Sequence, residues 1–123
     1  MLGHMSFGVE KLTVAAAFYD EVLAPLGYVR LWTKPHAVGF GERGGGDKLA
    51  LFVKPGEAAP PGAGFHVAFK APSRDAVDAF HAAALRAGGV DCGEPGLRPQ
   101  YGATYYAAFV FDLDGHKLEA VHQ

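Results

Sequence analysis

Residues 4–27, HMSFGVEKLTVAAAFYDEVLAPLG, return in outline as residues 66–89, HVAFKAPSRDAVDAFHAAALRAGG. His4, Phe7, Phe18, Leu23 and Gly27 fall on His66, Phe69, Phe80, Leu85 and Gly89, a constant offset of 62 residues. No single local structure requires such a match over this span, so it marks a duplicated supersecondary unit. One histidine opens each copy. A ring nitrogen at equivalent points of two related units points to a site shared between them.

Hydrophobic periodicity gives each copy its elements. Residues 2–9 alternate as a strand, with Met5, Phe7 and Val9 on one face and His4, Ser6 and Gly8 on the other. From about Thr13 the period changes, and Val14, Ala17, Phe18, Val22 and Leu23 recur at helical spacing until Pro25 and Gly27 stop the helix. Short apolar segments at 28–33, 37–41 and 48–53, separated by turn residues, read as three strands. After a connector at about 57–63 the pattern repeats. The strand FHVAFKA leads to Ser73 as N-cap and Asp75 in the first turn, then to a helix carrying Val77, Phe80, Ala84 and Leu85 inward to Gly88-Gly89. Strands are predicted near 90–97, 104–111 and 116–122, the last two joined by Asp112-Leu113-Asp114-Gly115. The chain is thus expected to be α+β, one domain over 1–123. Two tandem βαβββ modules result, about 1–56 and 64–123.

Strand parity sorts the polar candidates. If the bulky residues of each opening strand pack under the helix, His4 and His66 face the open side of the sheet. A second internal match, Lys48-Leu49-Ala50 against Lys117-Leu118-Glu119, runs at an offset of 69. It turns Leu49, Leu51, Leu118 and Ala120 toward the helices, and Ala50 and Glu119 toward the cavity. Two imidazoles and a carboxylate, His4, His66 and Glu119, are a recurrent donor set for a divalent metal with positions left open for substrate. The alternative is that the histidines are hydrogen-bonded pocket residues and Glu119 a solvated one.

Composition narrows the function classes. At 123 residues and 50% hydrophobic, the chain can bury a core without a disulfide staple. Cys92 is the only cysteine and reads as a small apolar residue; with no disulfide to form, a reducing, cytoplasmic setting is expected. A net charge of −2 with both signs interspersed offers no stripe for nucleic acid, and no apolar run approaches the length that spans a bilayer.

The segments HMSFGVEKLTVAAAFYDEVLAPLGY, FHVAFKAPSRDAVDAFHAAALRAGG and above all YYAAFVFDLDGHKLEAV resemble the vicinal oxygen chelate superfamily, also called the glyoxalase/bleomycin resistance/dioxygenase family. The resemblance covers essentially the whole chain. It implies paired βαβββ modules forming an open, barrel-like mixed sheet around a small-molecule cavity, commonly in homodimers, with metal ligands on the opening strand of each module and on a closing strand, matching His4, His66 and Glu119. It implies a divalent cofactor (Fe, Mn, Zn or Ni) and a lyase, dioxygenase or thiol transferase reaction. Ala50 stands where relatives of the glyoxalase I type carry a further carboxylate, which argues against that activity. Of the two branches using His, His and Glu alone, extradiol-type dioxygenases hold iron(II) and fosfomycin-modifying thiol transferases hold manganese(II). The bleomycin resistance proteins imply a metal-free alternative, in which the cavity sequesters an aromatic or cationic ligand.

Further residues are candidates for contacting a ligand. The loop Gly96–Tyr106 offers Arg98 as an anion contact and the hydroxyls of Tyr101 and Tyr105. Ser6 shares the open face with His4, and Phe52 shares the parity of Ala50. His81 and His116 lack a matched partner and are read as surface or structural.

Overall fold

The computed structural model describes residues 1–123 and contains both repeats. The first unit runs β1 (Met5–Val9), α1 (Leu12–Leu23), a 3₁₀ turn, β2 (Tyr28–Lys34), β3 (Ala37–Glu42) and β4 (Asp47–Val53). The second runs β5 (Val67–Lys70), α2 (Arg74–Arg86), β6 (Val90–Leu97), β7 (Tyr106–Phe111) and β8 (Lys117–His122). Each unit forms its own mixed four-stranded sheet, β1-β4-β3-β2 and β5-β8-β7-β6, with the opening strand parallel to the last and the rest antiparallel. The open, mixed architecture expected is thus present as two four-stranded sheets, one per module. No helix is long and apolar enough to cross a membrane.

Local chemistry explains the helix ends. Ser73 Oγ accepts from Ala76 N at 3.1 Å and caps α2, with Asp75 in the first turn. Past α1, Pro25 in the 3₁₀ turn lacks an amide donor, and Gly27 adopts φ 90°, a left-handed conformation open to glycine at little cost.

One core of 24 buried residues spans both units, because α1 and α2 pack against each other as well as on their sheets. This corrects the helix faces read from periodicity. Val14 is 51% exposed, Ala17 and Leu85 also face solvent, and the buried stripes run through Ala15, Ala16, Phe18, Tyr19 and Val22, and through Ala76, Val77, Phe80, Ala83 and Ala84. The alanines allow the two helices to approach closely, so the contact between helices decides which residues turn inward.

The units are also joined by a polar knot. Asp112 ends β7 and is buried; its Oδ2 accepts from Tyr19 Oη of α1 at 2.5 Å and lies 2.8 Å from His116 Nδ1. Its Oδ1 accepts from the backbone amides of Asp114 and His116 and so shapes the β7–β8 turn, which Gly115 completes at φ 89°. The His116 ring then stacks on Phe7 of β1, centroids 4.5 Å apart and planes within 9°. His116, read from the sequence as surface or structural, is thus a buried structural residue.

Cross-strand register shows how the repeat diverged. On the face turned away from the helices, Ser6, Ala50, Gly39 and Trp32 form a row across the first sheet, and Ala68, Glu119, Phe109 and Gly93 form the corresponding row across the second. In the first row the Trp32 indole occupies the space over Gly39; in the second the Phe109 ring occupies the space over Gly93. Ring and glycine have exchanged strands.

Two outcomes test the knot. Asp112→Ala leaves the Tyr19 hydroxyl and the His116 ring buried without their acceptor, so unfolding free energy in urea should fall by about 2–4 kcal/mol, and a loss under about 0.5 kcal/mol would contradict the assignment. Burial, reinforced by the Asp112 charge, holds the Tyr19 phenol well above its ordinary value. The unfolded chain releases that proton near pH ~10 while the folded chain retains it, so stability should decline above that pH, and Tyr19→Phe should flatten this decline.

Candidate functional site

β8 alternates Leu118 and Ala120 toward the core with Glu119 toward the opposite face, as its parity predicts. Glu119 is nevertheless only 1% exposed, so its charge must be met by neighbours. It is met on both oxygens. Oε1 lies 2.9 Å from His66 Nε2, and Oε2 accepts from Tyr105 Oη at 2.5 Å. His66 sits one residue before β5, the strand paired with β8, and its side chain is 43% exposed. With Nε2 turned to the carboxylate, Nδ1 is the ring nitrogen left for another partner.

These groups line a cavity of about 470 Å³, within the ordinary size range of small-molecule sites. Phe109, directly across the ladder from Glu119, forms one wall and meets the His66 ring edge-on at 5.9 Å. Arg98 and Lys117 place their cationic heads over the Phe109 ring, at 5.6 and 5.2 Å from its centroid. Tyr101 packs on Tyr105 with centroids 5.3 Å apart. Cys92 also borders the cavity, and burial raises its thiol above the ordinary value, which keeps it protonated and unreactive.

Five of the expected residues come together here: His66, Glu119, Arg98, Tyr101 and Tyr105. His4, Ser6 and Phe52 do not line this cavity; they belong to the first sheet, where His4 sits one residue before β1 as His66 does before β5, and Phe52 is 40% exposed. Tyr105, expected within a strand, lies just before β7, so its side chain is free of the ladder's alternation and reaches Glu119. Lys117 and Phe109 were missed. Lys117 had a signal, because two-residue periodicity puts it on the face of Glu119, whereas Phe109 acquires its place only from the β7–β8 register.

The residues can be tested against a divalent metal. Two ligands at right angles with bonds of about 2.1 Å stand about 3 Å apart, and His66 Nε2 and Glu119 Oε1 are separated by 2.9 Å. The pair fits two adjacent positions of one ion. No group of three His, Cys, Asp or Glu side chains within the chain is placed to hold a metal. Within one chain these two donors have no third beside them.

Electrostatics sets the proton inventory. Burial, then the hydrogen bond to Glu119 and the Glu119 charge, push the Tyr105 phenol up to about 12. It is a neutral donor at physiological pH. Alkaline titration followed by phenolate absorbance should show among the late ionisations one at about 12 that Tyr105→Phe removes and Glu119→Gln moves downward. Because the folded value is raised, the stability this contact contributes is present below about pH 10 and is lost as pH rises from there toward the folded value.

Comparisons with known proteins agree with this architecture. The model of the Glyoxalase/Bleomycin resistance protein/Dioxygenase superfamily matches residues 1–120. A glyoxalase/bleomycin resistance protein from Albidiferax ferrireducens T118 is 32% identical, with a TM-score of 0.83 over 98% of this chain and 96% of that one. A glyoxalase-related enzyme from Fulvimarina pelagi (19% identity, TM-score 0.77, 100% and 88% covered) shares the fold. So does a fosfomycin resistance protein from Listeria monocytogenes (18%, TM-score 0.70, 98% and 91%). No curated protein matches the chain. From a family model over nearly its whole length and a relative of the same architecture, the chain belongs to the glyoxalase/bleomycin resistance protein/dioxygenase superfamily.

Proposed function

We propose that the cavity of the second unit is the working site of a small-molecule enzyme, with Glu119 as its proton acceptor and His66 and Tyr105 as the groups that orient and discharge it. The observation that carries this reading is a carboxylate 1% exposed at a cavity wall, bonded on each oxygen by a titratable side chain. A substrate hydroxyl or acidic C–H placed at Glu119 would lose its proton to the carboxylate, and the Tyr105 hydroxyl or the His66 ring would donate to the oxygen on which charge develops. Lyase and isomerase steps begin this way.

A second reading is favoured by the 2.9 Å spacing and by the matched placing of His4 and His66 ahead of their strands. Here His66 and Glu119 hold a divalent cation whose third ligand is His4 of a second copy in a homodimer. Bound there, the metal would polarise substrate oxygens. Sequestration of a ligand without turnover, as in a bleomycin resistance protein, is the remaining outcome.

Light scattering and metal content, measured on protein purified without chelator, separate the readings across wild type, His4→Ala and Glu119→Gln. A dimer holding one metal per site, lost in both variants, establishes the shared metal centre. Metal-free protein that turns over a substrate from an oxygenated-metabolite panel, indifferent to His4→Ala and slowed about 10²–10⁴-fold by Glu119→Gln, establishes the proton acceptor. Ligand binding without turnover establishes sequestration. Indifference of metal content, binding and turnover to Glu119→Gln sinks the enzyme readings.

A further inference from the structure

The cavity wall carries two cations that no acid neutralises. The close ion pairs of the chain are Arg30–Asp20 and three histidine–carboxylate pairs, so neither Arg98 nor Lys117 is bridged to a carboxylate. Glu119, the carboxylate that lines the same cavity, is already engaged by His66 and Tyr105.

Arg98 is held in place all the same. Its guanidinium donates to the backbone carbonyls of Glu94 at 2.7 Å and Gly96 at 2.9 Å, and lies so close along β6 that a Cβ at Gly93 or Gly96 would come within 3.3 Å of it. The carbonyls fix its direction without cancelling its charge. Lys117 makes no side-chain hydrogen bond, and its ammonium rests against the same Phe109 ring. Both cations line the cavity with charge that an anion bound there would meet. Counted over the cavity, Arg98 and Lys117 outnumber Glu119, whereas the chain as a whole carries −2. The lining of the cavity is thus richer in positive charge than the chain as a whole.

We propose that this cavity recognises a planar organic anion, an aromatic or conjugated carboxylate. Its carboxylate lies at Arg98 and Lys117, its planar body lies against the Tyr101–Tyr105 pair, and its remaining polar group points toward Glu119. Arg98 supplies a prepositioned fork for a carboxylate, and Lys117 adds a mobile point charge. The inference rests on the cavity being the ligand site, and it adds the charge and shape of the ligand.

The test titrates the full chain with benzoate, benzamide and benzylammonium, three rings of one size that differ in charge, and follows resonances of His66, Phe109 and Tyr105 by NMR. Benzoate should bind at least about fivefold more tightly than benzamide, and Lys117→Met should weaken benzoate about fivefold while leaving benzamide unchanged. Added salt should weaken benzoate alone. Benzamide or benzylammonium binding in the cavity as tightly as benzoate would overturn the anion assignment and leave the ligand site standing. No shift at these residues with any of the three at millimolar concentration would overturn both.

Discussion

The Asp112 carboxylate is where the two units are tied together and where the turn into the site-bearing strand begins. Its oxygens take the Tyr19 hydroxyl from the first unit, the His116 ring and the two amides that turn β7 into β8. The β7–β8 register continues from that turn, and with it Phe109 stands opposite Glu119. An acid this deeply buried is tolerated because every oxygen is met, and a pair of buried aromatic groups depends on it in return. Packing of α1 on α2 supplies the apolar half of the same junction.

From the junction outward, duplication has produced two similar sheets with different surfaces. The first unit carries Ser6, Ala50, Gly39 and Trp32 in one row with the indole over Gly39, and the row has no ionisable group. The second places Glu119 in the corresponding row with Phe109, and Arg98 and Lys117 gather over that ring. Exchange of the aromatic residue between strands therefore accompanies a change in chemistry. Where the ring lies on β7 it can underpin cations beside the carboxylate, and the acid–base groups concentrate in the second unit alone.

Much of this was legible in the chain. The repeat, the order of elements, the Ser73 cap, the Gly27 stop and the orientation of Glu119 follow from spacing, because strands alternate with period two and caps need particular side chains. The helix faces were not. Val14 and Leu85 fit an apolar stripe, yet they lie outside because alanine-lined contact between helices rotates the buried face. Tyr105 was legible as a candidate but not as a partner of Glu119, since leaving the strand is a property of the loop's path.

By itself the sequence determined a duplicated βαβββ chain with a histidine at the head of each unit and one acid on the face opposite the core. These are consequences of local periodicity, which a linear pattern encodes directly. Only the tertiary structure decided that His66 meets Glu119 while His4 lies on a separate sheet, and that Arg98 and Lys117 share the Phe109 ring. Such meetings depend on how two sheets are set about a common helical core and on cross-strand register, quantities fixed by the sum of packing contacts across the chain.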